Sequence, residues 1–106
     1  MSDRPKVTIN DRVHGTRVWV EPHGYDMAVQ DIKAQGVVCR EGPPEPAFSV
    51  ITVTTEEGKH LDKNNIKSTL EGSEDLEFIS FAEALRMNDE ARRQKERNRT
   101  GQQPPA

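Results

Sequence analysis

The run Phe48-Ser49-Val50-Ile51-Thr52-Val53-Thr54-Thr55 constrains this chain more than any other stretch. Apart from Ser49, every side chain in it is aromatic or β-branched. Such residues lose rotamer freedom in a helix and fit a pleated surface, so the run predicts a strand. Other segments read the same way. Val7-Thr8-Ile9 is short and β-branched, and Thr16-Arg17-Val18-Trp19-Val20 alternates, with Val18 and Val20 on one face and Arg17 and Trp19 on the other. Ile32 to Arg40 reads as a further strand, bent or bulged at Gly36. Glu56-Glu57-Gly58-Lys59 reads as a hairpin turn, Lys59-His60-Leu61 as the returning strand, Lys63-Asn64-Asn65 as a tight turn, and Ile66 to Leu70 as a last short strand.

The connections are polar and stiff. Glu41-Gly42-Pro43-Pro44-Glu45-Pro46-Ala47 holds three prolines and predicts an exposed loop. Glu21 to Asp31, with Pro22, His23, Gly24 and Tyr25, reads as the other long connection. One helix is expected, over residues 80–97. Ser80-Phe81-Ala82-Glu83 fits a capping box, and Phe81, Ala84, Leu85, Asn88 and Ala91 share one side, with Met87 at its edge. Phe78 and Ile79 would anchor it, and everything after Ala91 would project into water. The ends, residues 1–6 and 98–106, read as frayed and disordered respectively. The expected architecture is mostly β with one C-terminal helix: a small curved antiparallel sheet, or a five-to-six-stranded β-barrel over residues 7–79.

From Ile32 to Thr69 the pattern resembles the core of small β-barrels of the Tudor and KOW type. Three features carry the resemblance: a strand centred on Gly36-Val37-Val38; Thr52-Val53-Thr54-Thr55 leading through Glu56-Glu57-Gly58 to Lys59-His60-Leu61; and a one-turn segment, Asp62 to Asn65, before a strand at Ile66. The resemblance implies a module that binds proteins, nucleic acid or modified side chains and that seldom catalyses.

Composition narrows the classes further. Apolar residues make up 32% of the chain and charged residues 31%, so a core of about 70–80 residues with polar ends is expected. No apolar run exceeds three residues, which predicts neither a transmembrane helix nor a signal-peptide core. A single cysteine, Cys39, excludes an intramolecular disulfide framework, and a reducing, cytoplasmic setting is the expectation. The net charge of −3 is unevenly spread. Residues 71–90 carry seven acidic side chains against Arg86, whereas residues 91–106 carry five basic ones against Glu96.

Catalytic chemistry finds no foothold in this pattern. His14, His23, His60 and Cys39 have no metal-ligand spacing, and the expectation is exposed histidines and a packed thiol, with no metal or cofactor. Cys39 follows Val37-Val38 in a strand, a poor setting for a nucleophile. Two binding surfaces remain. Arg17, Trp19, His23 and Tyr25 would form an aromatic patch if Trp19 faces outward; the alternative is that the C-terminal helix covers Trp19. Arg92, Arg93, Lys95, Arg97 and Arg99 would present a basic helix end to RNA or DNA; the alternative is a solvated end whose cations complement the helix dipole. The expected function is a non-catalytic protein-interaction module that docks on a larger assembly, with nucleic-acid binding as the second possibility. Self-pairing through a free edge at Val7–Ile9 is a further expectation.

Overall fold

The computed structural model describes residues 4–10, 16–55 and 63–101, with side chains from 64 to 96 in the last stretch. Five strands form one mixed sheet in the order β3-β4-β2-β1-β5. They are β1 (Lys6–Asn10), β2 (Thr16–Val20), β3 (Val38–Glu41), β4 (Ser49–Thr54) and β5 (Glu77–Phe78). Three helices accompany them: α1 (Tyr25–Lys33), α2 (Lys63–Glu71) and α3 (Phe81–Gly101). All neighbouring strands are antiparallel except β1 and β5.

The topology explains why α1 and α2 lie on one face. β2 and β3 run parallel with β4 between them, and β4 and β5 run parallel with β2 and β1 between them. The crossover through α1 travels one way along the sheet from β2, and the crossover through α2 travels the other way from the oppositely directed β4. Two reversals leave the hand unchanged, so crossovers of the usual single hand stack both helices on the same side. There Val7, Ile9, Val18, Val20, Ile51 and Val53 meet Ala28 and Ile32 of α1 and Ile66 and Leu70 of α2.

The opposite face carries a second core. Trp19, Phe48 and Val50 pack under Ile79 and Ala84, with Phe81 and Met87 alongside. Alternation along β2 thus sends Val18 and Val20 to one core and Trp19 to the other. The start of α3 is fixed as the capping pattern implies: the Glu83 N–H donates to Ser80 Oγ at 3.1 Å. Glu83 itself pairs with Arg86 at 3.6 Å.

Several expectations are corrected. The sheet is open, not a closed barrel, and the chain is an α/β sandwich with three helices instead of mostly β. Ile32 belongs to α1, so the strand expected from Ile32 shrinks to Val38–Glu41, and the connection Glu21–Asp31 holds a 3-10 turn (Pro22–Gly24) and most of α1. Tyr25, Ala28, Val29 and Ile32 have helical spacing, and together they face the first core. Gly36 ends α1 and does not bend a strand. Its φ of 80° is the left-handed conformation that glycine adopts without strain, and its N–H donates to the Lys33 carbonyl at 2.9 Å.

The strand expected at Ile66–Leu70 is α2. Ile66 and Leu70 lie one helical turn apart and both are buried, while Ser68 between them is exposed. Of the features that carry the Tudor/KOW resemblance, the strand centred on Gly36-Val37-Val38 survives only as its end in β3, and the strand at Ile66 is helical. The turn and strand expected at 56–61 lie outside the described residues. Lys6, expected to be frayed, starts β1: its N–H donates to Glu21 Oε1 at 2.7 Å. Helix α3 continues through residues 98–101, where disorder is expected from composition. The edge expected at Val7–Ile9 is covered at its start, where β5 pairs alongside Lys6 and Val7 of β1.

Candidate functional site

The four residues of the expected aromatic patch do not come together. Trp19 is only 5% exposed. Its ring lies 5.0 Å from that of Phe81 and 5.8 Å from that of Phe48, both tilted, which is favourable aromatic geometry inside a core. Tyr25 begins α1 and is half-buried against the other core, on the far side of the sheet. Burial, followed by the Glu41, Cys39 and Asp26 charges, raises its hydroxyl above the ordinary tyrosine value. His23 is exposed in the 3-10 turn. Gly24, next to it, is buried so close to Pro5 that a Cβ there would overlap the proline ring. Arg17 alone of the four presents a half-buried polar group on the face that α3 partly covers.

The basic helix end is built differently. Asn88 is only 7% exposed and ties α3 to the proline-rich loop between β3 and β4. Its Oδ1 accepts the Ala47 N–H at 3.0 Å, and its Nδ2 donates to Glu45 Oε1 at 3.2 Å. Past this tether the helix leaves the sheet. Arg92, Arg93 and Lys95 are exposed, and the helix continues through Arg97 and Arg99, whose side chains lie outside the described ones. Arg92 and Lys95, with Pro44, Glu45 and Pro46, line a shallow cleft of about 300 Å³. Asp89, one turn earlier, is held by both Arg92 and Arg93. The Arg92 hydrogen bond first, then the Arg93 charge, keeps the Asp89 carboxyl below its usual range. These pairs are therefore intact at neutral pH, and what they contribute is lost as pH falls through that lowered value.

Replacing Asn88 tests the tether. Asn88→Ala strands the Ala47 N–H in a half-buried position, and the expected loss is about 1–3 kcal/mol in chemical denaturation. Asn88→Asp keeps the acceptor for Ala47 but sets a carboxylate against Glu45. An unchanged stability for both variants would show that the loop is held by something else.

One residue that sequence reading missed is Arg40. Strand register places Asn10, Arg17, Thr52 and Arg40 opposite one another across β1, β2, β4 and β3. The four share the face of Trp19, one row further along. Nothing local signals this, because the register of β2, β4 and β3 brings together residues up to 35 positions apart in a way only pairing reveals. Cys39, the neighbour of Arg40, faces the other way towards the first core, and burial pushes its thiol up, with Lys33 acting weakly in the opposite direction. Such a thiol stays protonated at neutral pH. Among the described residues, no three histidine, cysteine or carboxylate side chains gather in a way that could hold a metal ion, and no helix is long and apolar enough to cross a membrane. His14 and His60 lie outside the described residues.

No protein-family model matches the chain, and no curated protein or solved structure matches it either.

Proposed function

We propose that the chain is a non-catalytic binding module that docks on a larger assembly through the free half of α3. The partner this contact fits best is the sugar–phosphate backbone of nucleic acid. One observation carries the reading: beyond Asn88 the helix passes Ala91 and then runs on to Gly101 with no apolar side chain, while five of those residues are cationic and only Glu96 is acidic. A helix that docks in a protein groove needs apolar anchors at helical spacing, and this one has none to offer. Successive phosphates, by contrast, reward cations one by one through counterion release. The cations also sit at the helix C-terminus, where the dipole favours them.

The experiment compares the full chain with a version ending at Glu90 on structured RNA and duplex DNA. Full-length binding should weaken with salt, the logarithm of affinity falling with a slope of magnitude about 4 if all five cations engage. The shortened chain should keep its fold, since of the described residues removed only Ala91 is half-buried and 92–96 are exposed, and should lose most of the affinity. Binding that is insensitive to both salt and truncation overturns the reading.

A protein partner is the second reading, and the β3 edge favours it. Val38–Glu41 pairs with β4 on one side only, which leaves a row of backbone groups open to an added strand. Loss of partner capture on introducing proline at Arg40, with α3 shortened or not, would select this reading over the first.

A further inference from the structure

Beside the row that α3 covers, the sheet carries two arginines on one face, Arg17 and Arg40, with Thr52 between them. We infer that Arg17, Thr52 and Arg40, aligned across β2, β4 and β3, form a second contact for the sugar–phosphate backbone, beside α3. This inference rests on the nucleic-acid reading above and deepens it.

Arg17 stands opposite Thr52, and Thr52 stands opposite Arg40, so the two arginines flank one threonine on a single face. Two strand spacings separate their Cα atoms by about 10 Å. Flexible side chains on such a base can converge on one phosphate or reach two neighbouring ones, and the threonine hydroxyl between them can donate to a phosphate oxygen. The next row, Trp19 and Val50, is the one on which α3 sits, so the arginine row lies beside the helix.

Most of the other described cations are paired. Lys6 pairs with Glu77, Lys67 with Glu71, Arg86 with Glu83, and Arg92 and Arg93 with Asp89. Arg17 and Arg40 have no such carboxylate among the described residues, a lack they share with Lys33 on the opposite face and Lys95 on α3, so on this row of the sheet two cations stand unpaired. Arg17 is moreover half-buried as a residue, so the base of its side chain is set on the sheet face while its long stem can bring the guanidinium to an anion. The bidentate fork of arginine suits phosphate. Phosphate is favoured over the carboxylates of an acidic peptide because the half of α3 beyond Asn88, past the stretch that packs on this face, carries five further cations that a backbone of regularly spaced charges can follow.

The test uses the full chain, a labelled RNA hairpin and a DNA duplex, and measures affinity between about 50 and 200 mM salt. The double variant Arg17→Gln, Arg40→Gln should lower the salt slope by about 1.5, because two phosphates are given up. Each lost contact weakens binding about 5–8-fold near 0.1 M salt. Lys33→Gln, which removes an exposed cation from α1 on the other face, should leave binding unchanged and so controls for net charge. Should the double variant fail to fold, Arg40→Gln alone, on an exposed edge position, should still lower the slope by about 0.8. An unchanged slope in these variants, with binding lost on ending the chain at Glu90, overturns the row and leaves the α3 reading standing. Binding of neither nucleic acid by the full chain overturns both. Capture of a polyglutamate peptide as tightly as RNA, lost in the double variant, would replace phosphate by carboxylate as the ligand and so overturn the inference as well.

Discussion

Trp19→Ala should destabilise the protein by about 3–5 kcal/mol, a large part of what a domain of this size has to lose. The indole is 5% exposed and wedged between Phe48 and Phe81, so its removal opens a cavity between the sheet and α3 that neither ring can refill without leaving its own contacts. The loss should appear as a lower urea midpoint followed by far-UV circular dichroism, since the variant has no tryptophan fluorescence to follow. Trp19→Phe should recover more than half of it. If Trp19 were instead an outward docking residue, the alanine variant would keep its midpoint and lose only binding. A midpoint within about 0.5 kcal/mol of the parent would therefore refute the buried placement and restore the aromatic patch.

Leu70→Ala should cost about 2–5 kcal/mol, and Ser68→Ala should cost nothing or stabilise slightly. The pair of results separates two local structures. In a strand, Ile66, Ser68 and Leu70 would point to the same side, and Ser68 would be as sensitive to a bulky replacement as its neighbours. In α2, Ile66 and Leu70 face the core and Ser68 faces water, so even Ser68→Lys should be tolerated. Ile66→Ala should resemble Leu70→Ala, but the double variant should fall short of the sum, because the two side chains are neighbours in one core. Equal sensitivity at residues 66, 68 and 70 in denaturant melts would contradict the helix.

Both results bear on how the protein meets a partner. If Trp19 and Phe81 lock α3 onto the sheet, and Asn88 ties it to the proline-rich loop, the direction in which the cationic half leaves the body is fixed before any partner arrives. A pre-aimed helix end gives up less conformational freedom on binding than a disordered tail would. The same packing leaves Arg17 and Arg40 beside the helix, on the face it only partly covers.

What the sequence determined by itself was local. Alternation in Thr16–Val20 and the β-branched run at Ser49–Thr54 marked two strands, and Ser80 marked the start of α3, because each depends on side-chain sterics or a hydrogen bond within a few residues. The cationic end of α3 is likewise plain in the sequence. Tertiary structure alone decided what covers each face. Ile66 and Leu70 share a side in a strand and in a helix alike, and only the sheet beneath them selects the helix. Trp19 points away from Val18 in any strand, but whether that side meets water or α3 depends on a helix more than 60 residues later. Arg17 and Arg40 become neighbours only through their pairing with β4, a long-range match of backbone hydrogen bonds that leaves no periodic trace along the chain.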